Sequence, residues 1–298
     1  MKAIKCISFL VMVFTALFFT ACNSDQNNQQ DNSADTLEVD STNSEVVMQE
    51  VVYQIPSPDE LFALIKNSGC KFRDDLLNSE KNVYESKTAQ ELNLGIYGAD
   101  LAYLAAFEKF QPSLKYFAKV KSMSDQIGLS TAIGSDMYNR LEKNISNSDS
   151  LLDITNNSYY NVVQKLEESG NGETLALLMT AGWIESIYIS VNIVDKYAEN
   201  NPTIQRIASQ KVTFGNLMKN LEKYKENADI ASQMKNLENL KNIYEKVQKE
   251  AVAINNNQAT DTTKVVIGQK SKYIFSKELF ESFKKEIVNL RTQIVKMS

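Results

Sequence analysis

Proline and glycine are scarce in this chain, and their scarcity restricts the folds that it can adopt. Only 4 Pro and 10 Gly occur in 298 residues, and these two residues are the strongest signals for turns and chain breaks. Long segments between them carry apolar residues at helical spacing. The sequence therefore predicts an all-α fold, a multi-helix bundle of roughly nine helices.

Capping signals place several helix ends. Ser57 and Glu60 have the spacing of a capping box, with Pro58 in the first turn, and Thr88 with Glu91 repeats that spacing. Small residues line the second helix, which with the long apolar sixth helix should pack in the interior. The predicted helices span residues 58–67, 88–109, 112–128, 130–145, 149–169, 173–200, 202–227, 229–254 and 276–297.

The last third of the chain carries two further patterns. Apolar residues on both sides of residues 227–229 alternate by threes and fours, which favours an antiparallel coiled-coil-like hairpin, with a plain bundle hairpin as the alternative. Residues 264–267 and 272–275 are predicted to form a small β-hairpin near residues 264–275, followed by Ser276 as the cap of the terminal helix.

Histidine is absent from the sequence. Its absence excludes Ser-His-Asp and Cys-His nucleophiles, HExxH metal sites and mixed Cys/His zinc sites. No GxSxG, P-loop, GxGxxG or EF-hand string occurs either. The sequence therefore predicts a protein that is not an enzyme and that holds neither a metal nor a cofactor.

The N-terminus has the three parts of a secretion signal. Lys2 and Lys5 form a basic start, an apolar run follows from Ile7 to Phe19, and small residues come next. The run is too short to span a bilayer, which takes about 20 apolar residues. Residues 1–21 are therefore predicted to be a signal peptide.

The end of this signal, Phe19-Thr20-Ala21-Cys22, resembles the lipobox of bacterial lipoproteins, although Phe19 stands where Leu or Val is usual. The resemblance implies that the Cys22 thiol is lipidated and anchors the mature chain to a membrane. The alternative is a plain signal site with an incidental cysteine. Asn23 replaces the aspartate that retains many lipoproteins at the inner membrane, so the resemblance implies the outer membrane; its periplasmic and cell-surface faces stay open, and Asp25 partly matches surface-export signals.

The distribution of charge distinguishes an acidic N-terminal segment from the rest of the chain. Residues 23–45 carry six acidic groups and no basic or aromatic residue, so residues 22–50 are predicted to be the lipidated cysteine and a disordered acidic tether, and residues 51–298 a helical bundle domain. Residues 206–298 carry 17 basic and 10 acidic groups. This excess could meet anionic lipid, lipopolysaccharide or nucleic acid. Because no nucleic-acid motif accompanies it, it is interpreted as solvated helix faces, without a nucleic-acid partner.

Two acid–tyrosine pairs recur at an offset of 85 residues, and they are the candidate site. Within each pair the residues are three apart, so a carboxylate and a phenol share one helix face. Aromatic residues one turn earlier would add contact area for a small ligand. The alternative is a buried polar contact that sets the helix register. The candidate ligand-binding residues are Tyr97, Asp100, Tyr103, Trp183, Glu185 and Tyr188.

Beyond residue 30 the chain resembles, in general style, the helical lipoproteins of the Gram-negative envelope. The first hypothesis is a membrane-anchored, non-enzymatic module that binds or assembles with another envelope component, such as an envelope protein, through its helical surface. The second is a small-ligand receptor with a Tyr/Trp/carboxylate pocket between the second and sixth predicted helices. An open polar cavity at that layer would favour the receptor, whereas a solid core with an apolar groove elsewhere would favour the binding module.

Overall fold

Helices make up 72% of the described part of the chain. The structure is a computed structural model that describes residues 58–130, 139–140, 143, 148–252 and 270–298. The prediction of an all-α bundle with a small β-hairpin is confirmed. The elements are α1 (Pro58–Asn67), α2 (Lys87–Ala106), α3 (Phe110–Gln126), α4 (Ser148–Glu168), α5 (Gly172–Ile193), α6 (Pro202–Ser209), α7 (Lys211–Glu222), α8 (Ala228–Asn236), α9 (Glu238–Glu245), β1 (Gln248–Val252), β2 (Lys270–Ile274) and α10 (Lys277–Val295).

Helices α2 and α5 form the centre of the bundle and run parallel to each other. Near their starts, the Thr174 hydroxyl donates to the Glu91 carboxylate over 2.6 Å. Farther along, Asp100 contacts Glu185. By length and composition α5 could cross a membrane, but almost all of it is buried within the bundle, as expected of a core helix.

The two central helices touch through glycine. A Cβ added to Gly95 would lie 2.1 Å from the Leu178 carbonyl oxygen, and one added to Gly182 would lie 3.2 Å from the Gly95 oxygen. Such a backbone approach requires residues without a side chain. The close packing expected from the small residues of α2 therefore occurs at one defined crossing.

Several predicted helix ends differ from those observed. Helix α2 begins after Ser86, whose hydroxyl accepts the Ala89 amide, whereas the Thr88 hydroxyl donates to Asp229 over 2.6 Å. Helix α5 ends at Ile193 and does not reach residue 200. The helices predicted over 58–67 and 149–169 are confirmed to within one residue. The helix predicted over 130–145 falls largely outside the described residues.

The two long helices predicted over 202–227 and 229–254 are wrong as continuous elements. Gln210 separates α6 from α7 and Leu237 separates α8 from α9, while β1 occupies the end of the second predicted helix. The turn predicted at residues 227–229 is confirmed, because the Asn227 side chain caps α8 by accepting two backbone amides. The bundle therefore contains short helices here instead of a continuous coiled-coil-like hairpin.

The small sheet pairs β1 with β2 in antiparallel register, with Gln248 opposite Ile274. The strand predicted over 272–275 corresponds to β2, but its partner is β1; the strand predicted over 264–267 lies outside the described residues. The Gln205 side chain bonds both the N–H and the C=O of Tyr273, which ties β2 to α6.

Helix α10 closes the bundle against the central pair. Ser276 caps its start as predicted, since its hydroxyl accepts the Leu279 amide over 3.2 Å. At the other end, the Asn93 side-chain amide of α2 donates to the Ile294 carbonyl over 3.0 Å. The last helix thus contacts α2 and α5, where the candidate residues lie.

Candidate functional site

The six candidate residues lie on α2 and α5, but they do not line one shared cavity. Tyr97, Asp100, Tyr103 and Glu185 are 0% exposed. Trp183 packs against α7 and α9 instead, with its ring 5.3 Å from that of Phe214. The two acids therefore lie in a solid part of the core, and Trp183 lies apart from them.

Glu185 forms an ion pair with Arg291 of α10. The guanidinium donates from Nε and Nη2 to the two carboxylate oxygens over 3.0 and 3.2 Å. The same guanidinium lies 4.6 Å from the centre of the Tyr188 ring. Burial alone would lower the pKa of Arg291, but the Glu185 carboxylate outweighs it and the pKa is raised. Arg291 thus remains charged and joins α10 to α5.

Asp100 is the second acid of this cluster. Its Oδ2 accepts the Asn78 amide over 3.1 Å, while its Oδ1 has no N–H or O–H donor among the described residues. Burial and the neighbouring Glu185 carboxylate raise its pKa well above the usual range. One guanidinium cannot balance two buried carboxylates, which favours the protonated form of Asp100 in the folded chain.

Two tyrosines hold the loop before α2 onto the same cluster. The Tyr97 hydroxyl donates to the Ser79 carbonyl and the Tyr116 hydroxyl to the Asn78 carbonyl, each over 2.6 Å. Burial raises the pKa of both phenols. Together with Asp100, these groups bind three backbone atoms of residues 78–79.

Tyr103 and Tyr188 also have structural partners. The Tyr103 oxygen accepts the Arg73 amide over 2.9 Å, and burial raises its pKa to about 12. The offset of 85 residues thus brings the two carboxyls together, while the two tyrosines serve different neighbours. This arrangement agrees with the alternative that the acids set the register of the central helices.

Open space lies on another side of α2, in two adjacent clefts. Cleft A, of about 590 Å³ to its open mouth, lies over α2 and α5, and cleft B, of about 600 Å³, lies over α2, α3 and α4. Cleft A is lined in part by Leu61, Met179, Gly182, Trp183, Arg206 and Gln210; cleft B in part by Leu101, Phe117, Val120, Ser124, Thr155 and Val162; both by Pro58, Gly98, Tyr159 and Leu178.

Of the six candidates, Trp183 alone lines these clefts. Its Nε1 donates to the Gln210 side chain over 3.3 Å. The small residues of α2, Gly98 among them, were all predicted to serve helix packing. Tyr159 and Ser124 were not identified from the sequence, because each lies in an amphipathic helix whose pattern does not distinguish a packed face from an open one.

The described residues contain no group of three or more Cys, Asp and Glu side chains that could hold a metal ion. No family model, curated protein or solved structure matches the chain. Its function is therefore argued from its own residues.

Proposed function

We propose that the chain is a lipid-anchored protein of the Gram-negative envelope that binds another envelope component through its helical surface and catalyses no reaction. The observation that supports it best is the contrast between two regions. The buried acids Asp100 and Glu185 are engaged by Arg291 and by loop backbone, whereas the open clefts have mostly apolar walls. Clefts with apolar walls are typical of binding sites.

The anchor and the location are inferred from residues 1–45. Lipidation of Cys22 would hold the body at the outer membrane, and the acidic tether would extend it by about 25 to 30 Å if it behaves as a random coil. A single acyl chain binds a membrane only marginally, whereas several chains bind it firmly. The proposal leaves the periplasmic and cell-surface faces as alternatives.

A receptor that uses the Asp100–Glu185 layer has less support. A ligand there would have to displace Arg291 from Glu185, with which it forms a buried ion pair. Breaking such a buried pair costs about 3–5 kcal/mol. Binding at the clefts requires no such rearrangement.

Site-directed photocrosslinking in intact envelopes tests this proposal. A photoreactive phenylalanine analogue would replace Tyr159, which lines both clefts, and in the control it would replace Lys285, an exposed residue of α10. We expect discrete adducts from position 159 and none from position 285. If position 159 yields no adduct under several growth conditions, the binding function is wrong.

A further inference from the structure

Clefts A and B form one continuous groove. Both are lined by Pro58, Gly98, Tyr159 and Leu178, so they meet over the middle of α2. Each is open to solvent, with walls formed mainly by apolar side chains. Apolar walls that continue from one cleft to the next suit an alkyl chain, whose burial removes apolar surface from water.

Gly98 forms an unobstructed floor where the two halves meet. A Cβ added there would find no atom within 4 Å, whereas one added to Gly95, three residues earlier, would collide with the backbone of α5. Helix packing therefore requires glycine at position 95 but not at position 98. The absence of a side chain at position 98 instead leaves the groove open.

Ser124 provides a polar group inside cleft B. It is 0% exposed, it lines the cleft, and its Oγ has no hydrogen-bond partner among the described residues. Several other buried helical hydroxyls behave differently, since those of Ser113, Ser186 and Ser190 each donate to the carbonyl four residues earlier. An unsatisfied buried hydroxyl is unfavourable, so a ligand oxygen that forms a hydrogen bond with it would stabilise the complex.

The charges around Ser124 determine whether a neutral or an anionic ligand oxygen is favourable there. Among the described residues no charged side chain lines cleft B, and the one that lines cleft A, Arg206, pairs with Glu60 at 3.3 Å. A carboxylate beside Ser124 would thus be desolvated without a counter-ion, which is strongly unfavourable. A neutral hydroxyl or carbonyl oxygen incurs no such penalty.

We infer that the groove binds a free single-chain lipid whose neutral oxygen bonds Ser124 and whose alkyl chain crosses Gly98 towards Met179 and Trp183. This inference rests on the proposed envelope function, for which it names the bound component. The alkyl chain would bury apolar surface along α2, which favours binding. Arg206 would lie at the far end and would not hold the head group.

Photolabelling of the full chain in phosphatidylcholine nanodiscs tests the inference. The probe is a decan-1-ol with a diazirine in its chain, and the sites of labelling are mapped by mass spectrometry. Gly98→Leu should reduce labelling of the groove at least about tenfold by filling its floor. Gly215→Leu is the matched control, because an added Cβ at this α7 glycine also meets nothing within 4 Å and Gly215 lines neither cleft.

A second variant and a second probe test where the ligand oxygen lies. Ser124→Ala should lower labelling by the alcohol about fivefold, as expected for one hydrogen bond, and it removes no observed contact of the fold. The matching decanoate probe should label less than the alcohol at pH 8. Stronger labelling by decanoate that is lost in Arg206→Gln would overturn the inference by placing an anionic head at Arg206.

Three further results would also overturn it: no labelling of the groove, equal labelling of the Gly98→Leu and Gly215→Leu variants, or a large gain in Cys22→Ser. The last would mean that the chain's own acyl group fills the groove. None of them removes the adducts expected at position 159 in intact envelopes. Failure of the lipid assignment can therefore be distinguished from failure of the binding function.

Discussion

Gly95 determines how closely the two central helices approach each other. Its Cα faces the α5 backbone so closely that an added methyl group would lie 2.1 Å from the Leu178 oxygen and 2.9 Å from the Gly182 nitrogen. Neither atom belongs to a flexible side chain, so the helices would have to separate. We expect Gly95→Ala to lower the free energy of unfolding by about 3 kcal/mol, the upper part of the range for overpacked cores.

Gly98→Ala is the matched control for this prediction. Its added methyl group would meet nothing within 4 Å, and alanine is favoured over glycine in a helix by about 0.8–1 kcal/mol. Urea denaturation of both variants should therefore shift the midpoints in opposite directions. Equal shifts would show that the crossing at Gly95 is not as tight as described.

Asp100 should make stability depend on pH in a direction unusual for an aspartate. Because burial raises its pKa, the folded chain keeps a proton that the unfolded chain releases above the ordinary aspartate range. Its contribution is complete below that range and is lost as the pH rises towards the raised pKa. Raising the pH from 5 to 9 should thus destabilise Asp100→Asn less than it destabilises the parent chain.

The groups around Asp100 and an exposed aspartate serve to check this assignment. Glu185, Arg291 and Tyr116 face Asp100 from α5, α10 and α3, and Asp100→Asn changes none of them. Asp125, whose pKa is lowered mainly by its bond to Lys121, contributes stability that is lost as the pH falls. Asp125→Asn should therefore alter the acid side of the profile. If stability falls on the alkaline side as much in Asp100→Asn as in the parent chain, the assignment of a retained proton to Asp100 is contradicted.

At the scale of elements, Arg291 joins α10 to the central pair. Arg291→Leu would leave Glu185 buried without its counter-ion, so we expect a loss of about 3–5 kcal/mol in the free energy of unfolding. Arg291→Lys should restore little of this loss, because an ammonium group cannot reproduce the two parallel hydrogen bonds or the stacking on Tyr188. Chemical denaturation measures the loss, and amide exchange shows whether α10 detaches first.

Arg206→Leu is the control for Arg291→Leu. The Arg206–Glu60 pair lies at the surface, with side chains 32% and 65% exposed, and such pairs contribute at most about 1 kcal/mol. A large loss in Arg206→Leu, or a small one in Arg291→Leu, would contradict the assignment of α10 docking to the buried pair.

The sequence predicts elements well where local signals decide them. The Ser276 cap, the Asn227 turn and the apolar α5 helix are properties of neighbouring residues, and they are confirmed. Distant pairings could not be derived in this way. Strand β1 forms because Lys270–Ile274 pairs with it, and helical spacing over the same residues led to the wrong prediction.

The same distinction applies to the candidate site. Composition and spacing indicate that Asp100 and Glu185 need partners in an apolar helix, but they do not identify Arg291, which is 106 residues from Glu185. The structure supplies this cation and with it the reason why the acids are not open to a ligand. The groove went unrecognised because an open apolar face and a packed one have the same sequence pattern.

At the scale of the whole molecule, attachment should depend on one thiol. The sequence has 3 Cys: Cys6 lies within the predicted signal, Cys22 is the expected lipid acceptor, and Cys70 is a half-buried free thiol beside α1. Burial raises the pKa of Cys70, which makes that thiol less reactive. Metabolic labelling with an alkyne fatty acid should therefore modify the parent chain and Cys70→Ser equally, and it should not modify Cys22→Ser.

Fractionation then separates lipid attachment from retention by an uncleaved signal. The parent chain and Cys70→Ser should sediment with the outer membrane and resist extraction by salt, since several acyl chains bind firmly. Cys22→Ser should lose the fatty-acid label and leave the outer-membrane fraction, either released after cleavage or held elsewhere by its signal. If Cys22→Ser keeps both the label and the outer-membrane location, Cys22 is not the anchor, and the lipid-anchored function proposed for this chain is wrong.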